Sequence, residues 1–175
     1  RYQGHMTQLC VVDPDRSVFY DYFHGRDASI TIDQGSDVEG IGRPRVEPSF
    51  VPDVIDRMMR VPNAASYAGM RFLERLIGRR YGASTGTDFY GALQLACEMA
   101  GRGESGSIVT LACDAGDRYL DTYYNTAWLS RNGYDLAPYD AQLQRAFDTG
   151  TWSDVGPAGA PARPQKIDAA LVTAP

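Results

Sequence analysis

Two apolar runs far apart in the chain constrain its fold more than any other feature: residues 7–12 (Thr-Gln-Leu-Cys-Val-Val) and residues 107–113 (Ser-Ile-Val-Thr-Leu-Ala-Cys). Each is compact and ends at a turn signal, Asp13-Pro14 for the first and Asp114-Ala115-Gly116 for the second. Short, continuously apolar runs bounded in this way read as strands covered on both faces. The segments between them carry helical periodicity. Val54, Ile55, Met58 and Met59 form one stripe behind Pro52, a residue suited to a first helical turn. Asn63 reads as the N-cap of a helix in which Ala65, Ala68, Phe72, Leu73, Leu76 and Ile77 repeat at helical spacing up to Arg79 and Arg80. Gly82 breaks the chain, and Phe89, Ala92, Leu93, Ala96, Cys97 and Ala100 make the next stripe, which stops at Gly101-Arg102-Gly103. Strands alternating with helices imply an α/β layer with a parallel sheet and flanking helices.

The weaker elements fit around this frame. Residues 17–23 read as a short aromatic helix and residues 28–32 as a further strand. Residues 35–52 hold three glycines and three prolines if Pro52 is counted, and read as a long ordered loop of the kind that serves function. A short helix is expected to follow Asp114-Ala115-Gly116 through Tyr123, and a last helix beyond Pro138 to carry Leu143 and Phe147. From residue 150 onward, 13 of 26 residues are Pro, Ala or Gly, so residues 1–149 read as the folded part and 150–175 as a disordered tail. Two clear strands and a weak one are too few to cover these helices. Together with a first residue that is Arg1 rather than methionine, this suggests the C-terminal portion of a longer polypeptide whose N-terminal half holds the remaining strands.

Composition removes several functions. A net charge of −5 offers no broad basic surface for nucleic acid. No apolar run reaches the roughly 18 to 20 residues that span a bilayer, and the expectation is a cytoplasmic protein. Cys10, Cys97 and Cys113 are odd in number, widely spaced and set in apolar surroundings, which favours buried thiols over disulfides or a zinc site. Lys166 is the only lysine among 17 basic residues, so chemistry that needs a positioned lysine is missing from the rest of the chain.

Three segments can carry chemistry. Gly82-Ala83-Ser84-Thr85-Gly86-Thr87 opens a helix, where free amides suit an anion or a heteroaromatic ring, although on local pattern alone Ser84 or Thr85 reads better as a plain N-cap. Glu39-Gly40-Ile41-Gly42 permits close approach of backbone to ligand, or is an ordinary turn. Cys113-Asp114-Ala115-Gly116 ends a strand at the edge where open α/β sheets bind ligands. With histidine present only at His5 and His24, Cys113 reads as a buried structural thiol ahead of a nucleophile.

Taken in order, Glu-Gly-Ile-Gly, Phe-Val-Pro, the Ser-Thr-Gly-Thr helix start and Cys-Asp-Ala-Gly-Asp-Arg-Tyr resemble the C-terminal half of the pyridoxal-phosphate-dependent cysteine synthase and cystathionine β-synthase family, of fold type II. The resemblance runs over residues 7–128. It implies that Ser84 faces the pyridine nitrogen of pyridoxal 5′-phosphate, with Thr85, Gly86 and Thr87 forming the turn that presents it. It also implies that Gly40, Ile41 and Gly42 lie beside the reactive face, and that Cys113 and Asp114 pass near the pyridine edge. A neutral hydroxyl at the ring nitrogen makes a milder electron sink than a carboxylate would, suited to α-proton removal and β-elimination. The family further implies an amino-acid substrate, a homodimer, and β-replacement or β-elimination on cysteine, serine or O-acylserine.

The departures are informative. The family's Schiff-base lysine and phosphate cradle lie upstream of anything in this chain, so the chain alone is expected to be inactive. Seven residues, Arg43 to Ser49, separate Gly-Ile-Gly from Phe-Val-Pro, a longer spacer than the synthases use. Arg43 and Arg45 in it suit a substrate carboxylate or, equally, pairing with Asp37, Glu39 or Glu47. The longer loop and Arg118-Tyr119-Leu120-Asp121-Thr122-Tyr123-Tyr124 look most like the cysteine synthase-like and L-cysteine desulfhydrase branch of actinobacteria. Two other classes stay open: a non-catalytic remnant or binding module, and an unrelated α/β domain holding a phosphate at the Ser84 helix.

Overall fold

A computed structural model describes residues 6–155. Strand β1 (Cys10–Pro14) pairs in parallel with strand β2 (Arg57–Val61), with Cys10 opposite Arg57 and Pro14 opposite Val61. Between the strands come helix α1 (Phe19–Gly25), a long loop and a single 3-10 turn (Pro52–Val54). After β2 the chain is helical: α2 (Asn63–Ile77), α3 (Ala83–Gly101), a 3-10 turn (Gly116–Tyr119), α4 (Thr126–Arg131) and α5 (Ala137–Thr149).

The α2–α3 pair is the centre of the molecule. Alanine and glycine dominate the facing surfaces, and the backbones come close enough that a Cβ on Gly69 would stand 2.5 Å from the Gly86 carbonyl oxygen. The Thr87 hydroxyl crosses the seam, shared between Ser66 Oγ at 2.7 Å and the Ala83 carbonyl oxygen at 3.0 Å. On one side of the pair Ala65, Ala68, Phe72, Tyr90, Tyr139 and Leu143 form a core with α5. On the other side Val38, Tyr67, Met70, Tyr119, Tyr123 and Leu129 form a second, aromatic core against the long loop. α2 ends on Gly78 in the left-handed conformation, as glycine allows there at no steric cost.

Several expectations are corrected. The stripe at Val54, Ile55, Met58 and Met59 is not a helix, since Pro52–Val54 make one 3-10 turn and Arg57–Val61 is β2. Met58, Met59 and Val61 are buried because β1 covers one edge and helices cover the faces. Residues 28–32 contribute only an isolated antiparallel bridge, Thr31 to Arg45. The run at residues 107–113 is exposed rather than buried, with Val109 at 91% and Leu111 at 71%, and it pairs with no strand among the described residues. Asn63 is the first residue of α2 rather than its cap. Its Oδ1 accepts from Ser36, and its N–H donates to Asp15 Oδ2 at 2.9 Å. The expected helix through Tyr123 is the 3-10 turn Gly116–Tyr119 followed by a further turn, and α4 adds a helix that the periodicity did not suggest.

The start of the tail is packed. Trp152 meets the Tyr90 ring edge to face at 5.0 Å, Val155 packs on the same core, and Gln142 Nε2 donates to the Ser153 carbonyl oxygen at 2.8 Å. The expectation of disorder beyond residue 155 lies outside the described residues, as does Lys166. No helix among the described residues is long and apolar enough to cross a membrane.

Candidate cofactor-ring site

α3 starts at Ala83 because Gly82, in an extended conformation, lets the chain turn in beside Asp114. A Cβ on Gly82 would overlap the Asp114 carboxylate and touch the Tyr119 ring at 3.0 Å. The cap position thus belongs to Gly82, with no side-chain cap, so neither Ser84 nor Thr85 serves as one. Thr85 is used otherwise: its Oγ1 accepts the Cys113 N–H at 2.9 Å. That bond and the Gly82 N–H to Asp114 carbonyl bond of 3.0 Å place Cys113 and Asp114 against the helix start. The Ser84 side chain is left buried, 9% exposed, with no hydrogen bond among the described residues. The hydroxyl itself is not sealed in the interior; it opens at the helix N-terminus with its donor and acceptor uncommitted, as a hydroxyl that faces a ring nitrogen would be. On this observation the residues fit a pyridine ring.

Asp114 is held by the Tyr119 hydroxyl, which donates to Oδ2 at 2.7 Å. Burial and this acidic neighbour push the Tyr119 hydroxyl well above its usual value. Cys113 is exposed, not buried, which corrects the sequence reading. Cys97 is buried and Cys10 half-buried, and all three are free thiols. The Cys113 thiol points at Asp88 Oδ2, 3.7 Å away, and burial lifts the Asp88 carboxyl to about 6.

The glycine loop reaches this corner from the other side. Gly42 has φ of +76°, and a Cβ there would stand 2.6 Å from Ser36 Cβ and 3.0 Å from Pro14 Cγ, so only glycine fits. Ser17 Oγ accepts the Arg43 N–H at 3.2 Å, and Arg43 returns its own carbonyl to the Val18 N–H at 2.9 Å, docking the loop on the carboxyl end of β1. The Arg43 guanidinium folds back onto the Gly42 carbonyl oxygen at 2.9 Å and the Gly40 carbonyl oxygen at 3.5 Å, so it shapes the loop rather than pairing with an acid. Arg45 pairs with Glu47 at 3.3 Å, one of its two expected fates. Asp37 instead pairs with Arg16 and accepts from the Tyr134 hydroxyl, while Glu39 pairs with Arg118 at 2.9 Å.

Between the glycine loop and the Asp114 corner stands a stack of tyrosines that sequence reasoning did not single out. Tyr119, Tyr123 and Tyr67 stack in series, with ring centroids 4.9 Å and 4.7 Å apart. The only hint in sequence is the density of tyrosine at Tyr119, Tyr123 and Tyr124. Their partners lie dozens of residues away.

This geometry, with its parallel strands and the helix start at Ser84, is that of a fold type II pyridoxal-phosphate enzyme. Comparison with known proteins agrees in fold and in sequence. The chain superposes on O-acetylserine sulfhydrylase isoform 3 of Entamoeba histolytica with a TM-score of 0.56 at 22% identity, covering 71% of this chain and 35% of that one. It superposes on O-ureido-L-serine synthase with a TM-score of 0.56 at 19% identity, covering 74% of this chain and 40% of that one. By sequence it is 52% identical over 143 residues to the L-cysteine desulfhydrase Cds1 of Mycobacterium tuberculosis, covering 82% of this chain and 39% of that protein. It is 33% identical over 172 residues to a Caenorhabditis elegans protein whose name describes it as pyridoxal-phosphate dependent, again covering 39% of that protein and 85% of this chain. The chain matches the C-terminal part of the pyridoxal-phosphate-dependent cysteine synthase and cystathionine β-synthase family. It spans about two fifths of the length of these curated relatives. No protein-family model matches it.

Proposed function

We propose that this chain forms the pyridine-ring side of a pyridoxal-phosphate-dependent enzyme that eliminates or replaces the β-substituent of cysteine, serine or O-acylserine. The unbonded hydroxyl of Ser84 at the start of α3 carries the reading. Its neighbours are all committed elsewhere: Thr85 to the Cys113 amide, Thr87 to the α2 seam, and Asp114 to Tyr119. Bound pyridoxal 5′-phosphate supplies an electron sink for loss of the α-proton and departure of the β-substituent. The role of Ser84 is to hold the ring nitrogen through a neutral hydroxyl. Thr85 fixes the Cys113–Asp114 segment along the ring edge, and Gly40, Ile41 and Gly42 border the reacting face with backbone only. Arg43 keeps that loop in shape, and Arg45 is partnered by Glu47.

The Schiff-base lysine and the phosphate cradle come, in this reading, from an N-terminal segment of the native gene product, which acts as a homodimer on an amino-acid substrate in the cytoplasm. Within the proposed range, identity to a named L-cysteine desulfhydrase favours release of sulfide, pyruvate and ammonia from cysteine over thiol addition. The test is Ser84→Ala in the full-length native protein. Removing one hydrogen bond to a ring nitrogen is expected to weaken cofactor affinity about tenfold and to shift the cofactor band between roughly 400 and 430 nm. A variant that keeps affinity, spectrum and turnover would overturn the assignment.

A further inference from the structure

Two adjacent tyrosines bind the two halves of the site to each other. The Tyr123 hydroxyl accepts the Glu39 N–H at 3.1 Å and donates to the Asp37 carbonyl oxygen at 2.8 Å. The Tyr124 hydroxyl accepts the Tyr81 N–H at 3.2 Å and donates to the Tyr81 carbonyl oxygen at 3.0 Å. One clamp closes on the backbone that leads into Gly40–Gly42, and the other on the residue just before Gly82 and the α3 start. Each hydroxyl uses both its donor and its acceptor capacity on main chain. Both rings are anchored: Tyr123 is buried between Tyr67 and Tyr119, and Arg80 lies over the Tyr124 ring at 5.6 Å. Val38, 1% exposed, plugs the same aromatic core from the middle of the clamped loop segment.

Consecutive residues cannot move independently along the chain. Two clamps on one dipeptide therefore set the spacing between the glycine loop and the helix start that carries Ser84. We infer that Tyr123 and Tyr124 are positioning residues that gauge the gap between the substrate-side loop and the cofactor-ring side, an inference that rests on the function proposed above. Phenylalanine keeps the stacking of the ring at position 123 and the Arg80 contact of the ring at position 124, and deletes only the clamp.

The two clamps make separable predictions in the full-length native protein. Tyr123→Phe should raise KM for the amino acid about tenfold and leave cofactor affinity within twofold, because it frees the loop and not the helix start. Tyr124→Phe should weaken cofactor affinity about tenfold, because it leaves Tyr81 and the entry to Ser84 held only by the flanking backbone bonds Gly82–Asp114 and Gly116–Arg80. Hydrogen exchange supplies a readout apart from turnover. The Glu39 amide should exchange at least tenfold faster in Tyr123→Phe, and the Tyr81 amide in Tyr124→Phe, with α2 amides unchanged. The inference is overturned if neither variant changes its amide or its kinetic constant. It is equally overturned if both variants lose substrate and cofactor binding in step with a lowered unfolding midpoint, since that pattern is general destabilisation. Should the wild-type protein bind no pyridoxal phosphate, the functional reading fails by itself, while the two amides still report whether the clamps exist.

Discussion

Replacing Gly86 by alanine sets two forces of opposite sign against each other. In a helix interior alanine is favoured over glycine by about 1 kcal/mol, so propensity alone predicts a more stable protein. At the α2–α3 crossing, a Cβ on Gly86 would overlap the Ser66 carbonyl oxygen and stand 2.7 Å from Met70 N. These are backbone atoms of a packed helix, which have no rotamer to adopt, so α2 must withdraw as a body. Withdrawal stretches the 2.7 Å Thr87–Ser66 contact and opens the seam around Ala65 and Ala68. Overpacking of this kind costs about 1–3 kcal/mol, and weakening a buried hydrogen bond adds about 1 kcal/mol. Against the propensity gain, the net expectation is a loss of about 2 kcal/mol. Urea unfolding of the purified protein would read it as a lower midpoint at unchanged slope. Gly101→Ala is the control, because a Cβ there meets nothing within 4 Å at the end of the same helix. If Gly86→Ala proved as stable as Gly101→Ala, the close-approach argument would be refuted.

Two other measurements probe the packing around the site. Burial lifts the Asp88 carboxyl from 3.8 to about 6. An acid raised in the folded state contributes stability below its unfolded value, and that contribution is lost as pH rises through the folded value. The unfolding midpoint should therefore fall between about pH 4 and pH 6, and Asp88→Asn should flatten that fall. Arg57 on β2 grips Glu98 on α3 with two bonds of 2.5 Å and 2.9 Å. A double-mutant cycle of Arg57→Met and Glu98→Gln should give a coupling of about 1 kcal/mol that shrinks with added salt, and a coupling near zero would show the pair to be idle.

The elements legible from sequence are those whose signal is local. α2 and α3 match the extents of their apolar stripes, because a 3.6-residue period is written into one stretch of chain, but Leu76, Ile77, Ala96 and Ala100 of those stripes face solvent. Val54, Ile55, Met58 and Met59 satisfy helical spacing, while the fact that puts Met58 and Met59 in a strand, parallel pairing to Cys10–Pro14, lies in another part of the chain. Residues 107–113 show the reverse error: strong strand character with no ladder among the described residues, so Val109 and Leu111 stay exposed. At the site, the segments around Gly42, Ser84 and Asp114 stood out because glycine and hydroxyl residues at a turn are visible as letters. That Thr85 is committed to Cys113 while Ser84 is not, and that Tyr123 and Tyr124 clamp two distant backbones, depend on hydrogen bonds spanning 28 to 86 residues. A reading of spacing alone has no access to them.

The parallel register of β1 and β2 also bears on the order in which the molecule assembles. Its strands lie 47 residues apart, so pairing them closes a long loop and orders α1 and the glycine loop at the same time. α2 and α3 are joined by only the short turn from Gly78 to Gly82, and their contact needs almost no loop closure. Chains gain local contacts faster than distant ones. The helix crossing at Gly69 and Gly86 is thus expected first, with the sheet and the glycine loop joining it later. The α3 start at Ser84 is therefore expected to form before Cys113, Asp114 and the glycine loop are drawn onto it, since the Thr85–Cys113 bond alone spans 28 residues.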